Sequence, residues 1–300
     1  MSRPTPAAVA LGLFDGVHLG HRAVLNAALR QAANGLRPAV FTFPAESALR
    51  KGAPGYLYPT DTRNDLLHAC GFASLIVPDF SEVRDLDGET FVRALLHEQE
   101  GAAYVCCGPD FRFGRDAAWD AGDLRCIGRH CGIAVEVVDD VRMEGVKVSS
   151  TAIRSLLQDG EIAHANRLLG APYRIRQTVS HGAHLGSTIG FATVNQVFAE
   201  GQLVPKFGVY ASQTLTPDGW QDSITNIGVK PTVHYGGAPL AETHILGFGG
   251  DLYGRTLTVI LTDFLRAEQK FDSLDALTAQ LGQDIRMRRQ LSGNYHHSNT

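Results

Sequence analysis

The chain has 300 residues, 44% of them apolar, and a formal net charge of -4. That is long enough for two ordinary domains, each with its own core. No basic run favours nucleic acid as a partner, and no apolar run approaches the roughly 18 residues that cross a bilayer. The apolar start, Ala7 to Phe14, is interrupted by Asp15 and lacks a basic lead and a cleavage pattern, so it is not expected to be a signal peptide.

Strand and helix signals alternate through the first half. Ala7–Leu13 reads as a strand and Arg22–Ala33 as a helix stopped by Asn34-Gly35. Ala39–Phe43 is a strand, and Thr60 or Asp61 is expected to cap a helix through Ala69. Ala73–Val77 is a strand, Gly88–Glu100 a helix, Ala103–Cys106 a strand, Asp120–His130 a helix and Ala134–Val138 a strand. This alternation predicts a parallel sheet covered by helices. Two short helices follow, Thr151–Leu157 and Ile162–Leu169. The texture changes at Gly170-Ala171-Pro172. Beyond it, Tyr173–Val179, Phe207–Thr214, Ile224–Ile227, Glu242–Leu246 and Thr256–Leu261 read as strands without intervening helices, an antiparallel barrel or sandwich. Ser273–Arg289 has helical spacing, and its Arg286, Arg288 and Arg289 read as a solvated face or as phosphate ligands. Two domains are expected, 1–170 and 171–300. The five cysteines form no Cys-x-x-Cys pair, which points to neither zinc nor disulfides and fits a reducing cytoplasm.

The most informative segment is Phe14-Asp15-Gly16-Val17-His18-Leu19-Gly20-His21, between the first strand and the first helix. Helix N-terminal N–H groups there can hold an anion. Two imidazoles can stabilise charge on a transferring phosphoryl group, although histidines one helical turn apart also serve as metal or surface pairs. After the Ala103–Cys106 strand comes Gly108-Pro109-Asp110-Phe111-Arg112-Phe113-Gly114, a tight turn with packed phenylalanines or a loop that lines a planar ring. Loops at the C-terminal ends of parallel strands form ligand crevices. Ser149-Ser150-Thr151-Ala152-Ile153-Arg154 begins a helix; its hydroxyls can be caps, or with the arginine can bind a polyphosphate.

Taken together, these three motifs resemble the nucleotidyltransferase superfamily, and specifically the flavin branch, the bacterial bifunctional riboflavin kinase/FAD synthetases. The glycine-rich stretch Gly182–Asn195 resembles the kinase signature of the same family, as do Pro205–Tyr210, Asn226–Thr232 and Glu242–Ile245 with Asp251–Gly254. The resemblance implies an N-terminal Rossmann-like nucleotidyltransferase sheet and a C-terminal riboflavin kinase-type β-barrel with a terminal helix. It implies ATP-dependent conversion of riboflavin to FMN and of FMN to FAD, with magnesium. His18 and His21 would stabilise adenylyl transfer. Phe14, Asp15, Gly16, Gly20, Asp110, Phe111, Lys147, Ser149, Ser150, Thr151 and Arg154 would bind nucleotide and flavin. In the kinase half Glu242 would be the base, Gly182, Gly186 and Gly190 would approach phosphates, and Thr193 and Asn195 would hold magnesium and phosphate.

Four departures from the family pattern are visible. Thr42-Phe43-Pro44-Ala45-Glu46-Ser47 stands where relatives commonly have Phe-x-Pro-His-Pro, Ala152 replaces a frequent arginine, and Ser187 and Ala192 replace an arginine and a proline. One working half, or a flavin-binding regulator on a degenerate scaffold, are the alternative readings. Small molecules are the expected partners, with no nucleic acid and no membrane.

Overall fold

A computed structural model describes residues 5–47, 54–180, 193–229 and 237–291. The chain divides into two compact units, Met1–Ser150 and Thr151–Thr300. The division falls earlier than the change of texture at Gly170, because the second of the two short helices packs on strands of the second unit.

The first unit is built on strands β1 (Ala7–Leu11), β2 (Arg37–Phe41), β3 (Ser74–Ile76), β4 (Ala102–Cys107) and β7 (Ala134–Val137), in the order β3-β2-β1-β4-β7. All neighbouring pairs are parallel. Every residue of β1 is buried, as expected of a central strand covered on both faces. Helices α1 (Leu19–Arg30), α2 (Thr60–Ala69) and α5 (Ala121–His130) are among the covering elements, with the short α3 (Phe80–Val83) and α4 (Gly88–Thr90). The strand order reverses between β1 and β4, so the loops that leave these two strands open into the switch-point crevice. Small hairpins complete the unit: β5 (Arg112–Phe113) with β6 (Trp119–Asp120), and β8 (Arg142–Met143) with β9 (Val146–Lys147).

Two local expectations are corrected. The Gly88–Glu100 helix winds as α only through α4 and then as a π-helix over Phe91–Gln99. Its buried Phe91 and Leu96 are five residues apart, a spacing that i→i+5 winding brings to one face. Thr60 does not cap α2 with its side chain, since Pro59 stands at the cap and Thr60 is the first helical residue. Its N–H donates instead to the Glu46 carboxylate across a long loop, at 3.1 Å.

In the second unit α6 (Ser150–Asp159) and α7 (Ile162–Leu169) lead into a six-stranded antiparallel sheet. Its order is β10 (Tyr173–Thr178), β15 (Thr256–Arg266), β12 (Gly208–Thr216), β13 (Gly219–Val229), β14 (Pro239–Ile245) and β11 (Thr193–Val197). The sheet curls until its edge strands meet at one corner, where Ser180 pairs with Asn195. There the fully buried Gln196 amide donates to the carbonyls of Gln177 and Leu257. Ser212, Thr214, Ser223, Thr225 and Thr243 are wholly buried on β12, β13 and β14. Their hydroxyls form one chain with contacts of 2.8–2.9 Å.

The terminal helix Leu274–Leu291 docks on the sheet through charge. The Asp284 carboxylate, fully buried, accepts from Arg266 Nε at 3.0 Å and Nη2 at 2.8 Å. Arg288 is 1% exposed, donating to Ser212 O at 2.9 Å and Asp222 Oδ1 at 2.5 Å. Arg288 is therefore neither solvated nor turned to a ligand; it anchors the helix. Removing one partner of a buried pair leaves the other charge uncompensated. Asp284→Ala is expected to destabilise the second unit by about 3–5 kcal/mol, read as a lowered midpoint in urea, with a change below about 1 kcal/mol counting against the anchor.

Candidate active site

The loop after β1 holds an unusual backbone. Phe14, Gly16 and Val17 have φ of 53°, 92° and 44°. The left-handed region costs little for glycine but is an outlier for a β-branched valine. The loop is held from all sides. Leu13 O accepts from Thr42 Oγ1 and from Arg63 Nη1, both at 3.1 Å. The Asp15 carboxylate, 2% exposed, accepts from Leu57 N at 2.8 Å and reaches Tyr58 N at 3.4 Å. Asp15 O accepts from Ser150 Oγ at 2.8 Å, and Val17 O from Arg22 Nε at 3.2 Å. Asp15 thus turns its carboxylate inward, and Phe14, 1% exposed, packs edge-on against His21.

The helix begins earlier than its apolar pattern suggests, at Leu19, so Gly20 and His21 lie in its first turn. His18 is the N-cap, and its Nδ1 accepts from His21 N at 3.2 Å. An accepting Nδ1 places the proton of a neutral ring on Nε2, which therefore is a donor. The two rings stack at 3.5 Å between centroids and 17° between planes. A Cβ on Gly20 would lie 3.1 Å from His18 Cε1 and 3.1 Å from Val148 O, so only glycine leaves the imidazole where it stands.

Beside this loop a cavity of about 640 Å³ is walled by Phe41, Phe43, Phe80, Phe91, Phe111 and Phe113. Gly12 and Leu13, at the start of the histidine loop, complete one wall. Phe111 and Phe113 stack at 5.8 Å, and Trp119 lies against Gly88 and Gly114, where any Cβ would collide. Asp110 and Lys147, which belong to separate motifs, form an ion pair, and Asp140 adds a second carboxylate at 3.0 Å from the ammonium. These hydrogen bonds, that to Asp110 first, raise the Lys147 pKa. Ser149 and Ser150 end the first unit; Thr151, exposed, and Arg154, half-buried, lie on α6.

In the second unit Thr193 Oγ1 donates to Glu242 Oε1 at 3.1 Å. Asn195 lies directly opposite Glu242 in the β11–β14 ladder, and Asn226 opposite it in the β13–β14 ladder. Asn195 is buried, and its Oδ1 has no hydrogen-bond partner among the described residues. Gly182, Gly186 and Gly190, with Ser187 and Ala192, lie outside the described residues.

Sequence reasoning missed Arg63 and Glu46. An arginine on a helix ordinarily reads as solvated. The available signal was Asp15, a carboxylate inside an apolar segment, which burial obliges to find donors or a countercharge. Strand β11 was also missed, because the glycine-rich reading ran through Asn195 and masked the β-branched start Thr193-Val194.

An imidazole pair at the switch point of a parallel sheet and a Thr–Glu pair on an antiparallel sheet suit phosphoryl chemistry, and the family models show a two-domain transferase of phosphorus-containing groups. The family model described as FAD synthetase matches residues 1–152, and that described as riboflavin kinase matches residues 169–292. The bifunctional riboflavin kinase/FMN adenylyltransferase of Pseudomonas fluorescens is 36% identical, over 94% of this chain and 92% of its own length. Its counterpart in Escherichia coli (strain K12) is 35% identical with the same coverage. The crystal structure of a macrolide-efflux protein from Streptococcus pneumoniae superposes with a TM-score of 0.84 at 31% identity, covering 99% of this chain and 96% of that one. Efflux describes that protein; no helix among the described residues here is long and apolar enough to cross a membrane. The chain belongs to the bifunctional riboflavin kinase/FMN adenylyltransferase family, and it joins ATP-dependent phosphorylation of riboflavin to adenylylation of FMN.

Gly20→Ala should push the His18 ring by a few tenths of an ångström and lower FAD formation by about threefold to tenfold, a fraction of what a full ångström of misplacement costs. FMN formation by the same preparation should be unchanged. A parental rate of FAD synthesis would show that the stack tolerates the methyl group.

Proposed function

We propose that the two activities divide along the chain, adenylyl transfer in residues 1–170 and the kinase step in residues 171–300, with His18 and His21 acting in the first and Glu242 in the second. The observation that carries the reading is the histidine stack at the switch point, with the donor Nε2 of His18 fixed by its capping bond. An FMN phosphate oxygen bonds to the α-phosphorus of ATP while the bond to the bridging β-oxygen breaks and pyrophosphate leaves. The nucleophile is already an anion, so this step calls for charge stabilisation and no base. The imidazoles supply it. Ser149, Ser150, Thr151 and Arg154 bind the leaving polyphosphate, and Lys147, with Asp110, marks the nucleotide side. The isoalloxazine ring takes the aromatic cavity, with Phe43 among its walls although the family's Pro-His-Pro is absent.

In the kinase half, the riboflavin 5′-hydroxyl is neutral and must lose a proton, which Glu242 accepts as the hydroxyl oxygen bonds to the γ-phosphorus, the bond from that phosphorus to the β–γ bridging oxygen breaks and ADP leaves. Thr193 orients that carboxylate. The donor set fits magnesium: Thr193 Oγ1 and the buried Asn195 Oδ1 are hard oxygens, and magnesium commonly takes few protein ligands beside substrate phosphates. When bound, the ion withdraws charge from the phosphates of ATP. The five cysteines are unpaired, which supports work in the reducing cytoplasm, with small molecules as partners.

Replacing His18 or His21 by Ala should cut FAD formation by about 10²–10³-fold and spare FMN formation. Glu242→Gln should do the converse, at nearly constant side-chain volume. Riboflavin, ATP and magnesium are supplied and the flavins resolved by chromatography. Equal loss of both products in any of these variants, with circular dichroism unchanged, would defeat the division of labour.

A further inference from the structure

We infer that Arg63 is a positioning residue for adenylyl transfer, and that Glu46 works with it. Arg63 lies on α2 and is wholly buried. Burial pulls its pKa below the ordinary value, while the charges of Asp15 and Glu46 oppose that pull. Both carboxylates are near enough for their charges to act on the guanidinium, Asp15 from the histidine loop and Glu46 from the segment after β2. Through Nη1 it holds Leu13 O, the last carbonyl before the left-handed Phe14. Its charge also favours the ionised Asp15, whose carboxylate clamps the Leu57–Tyr58 backbone. The second charge that acts on the guanidinium is Glu46, in the segment where relatives commonly carry Pro-His-Pro. The Glu46 carboxylate accepts from Thr60 N and Oγ1 at the head of α2, and Thr60 Oγ1 accepts from Ala45 N at 2.8 Å. The same short segment continues from Phe43, a wall of the aromatic cavity.

A strained loop persists only where its surroundings over-determine it, and Arg63 touches the entry of this one. The loop in turn sets the N-cap imidazole and the ring stacked on it. Glu46 puts an anion into that segment, and an anion is what a buried guanidinium nearby can use. The assignment rests on His18 and His21 acting in adenylyl transfer.

The experiment compares Arg63→Lys, Arg63→Met and Glu46→Gln with His21→Ala in the full-length enzyme, reading KM and kcat for FMN-to-FAD conversion, with FMN formation measured alongside. Lysine keeps the charge but not the planar fork. Arg63→Lys is expected to lower kcat about 10²-fold and to leave the KM for ATP and FMN within about twofold. Glu46→Gln keeps an acceptor for Thr60 and removes the charge, so a smaller fall in kcat, about threefold to tenfold, is expected. FMN formation should stay at the parental rate throughout. A folded Arg63→Lys enzyme with parental kcat, or with the loss confined to KM, overturns the assignment. Should neither Arg63 variant fold, Glu46→Gln decides, and a parental kcat there overturns it. If His21→Ala itself keeps full FAD synthesis, it is the histidine reading that fails.

Discussion

The adenylyl-transfer half depends on holding a peptide loop where it would not rest by itself. Phe14 and Val17 sit in a backbone region that costs L-residues on the order of 1–3 kcal/mol each, and they do so in sequence with a left-handed glycine. The compensation comes from outside the loop. Thr42, Arg63, Leu57, Tyr58, Ser150 and Arg22 each donate to it. Buried guanidinium groups recur as the means of anchorage. Arg63 secures a loop in the first unit, and Arg288 secures a helix in the second. Arginine suits both tasks because its planar fork of donors satisfies carbonyls and carboxylates in fixed directions.

The two chemistries make opposite demands, and the two units differ accordingly. A phosphate monoester attacking phosphorus is already ionised, and what must be shared is the charge that grows on the departing pyrophosphate. A neutral alcohol attacking phosphorus needs its proton removed. Imidazole donors at a helix start suit the first, and a carboxylate on a strand suits the second. Both residues proposed for these tasks stand on regular elements: His18 caps α1 at the switch point, and Glu242 lies between Asn195 and Asn226 on a three-strand ladder.

Much of this was legible in the residues because periodicity and motif order are local properties. Strand and helix alternation gave the parallel sheet, and Ile162–Leu169 kept its expected bounds. Boundaries shifted where a side chain overrode the pattern, as at Leu19, where a histidine cap starts the helix ahead of its apolar face. Long-range pairing was not legible. Nothing in the spacing joins Glu46 to Thr60, Asp15 to Leu57, or Arg288 to Asp222. Such pairs depend on which segments the fold brings together, and a charged residue on an amphipathic helix looks the same whether it meets water or a buried carboxylate. The π-helical winding of Phe91–Gln99 was hidden for a related reason, since an apolar stripe of nine residues fits either winding.

The hydroxyl chain inside the barrel bears on how faithfully this domain assembles. Side chains alternate between the two faces of a strand, so a slip of β14 by one residue would exchange Thr243 for Glu242 on the interior face. The correct frame pairs Thr225 with Thr243 at 2.9 Å, and the chain then runs on through Ser212 and Ser223 to Thr214. A slipped frame would strand these buried hydroxyls and bring a carboxylate among them, with a desolvation penalty for each. An apolar interior also resists a one-residue slip, but it distinguishes less sharply a two-residue slip that keeps the same face inward. The polar one acts as a proofreading device, tolerating only the strand alignment in which Glu242 emerges beside Thr193.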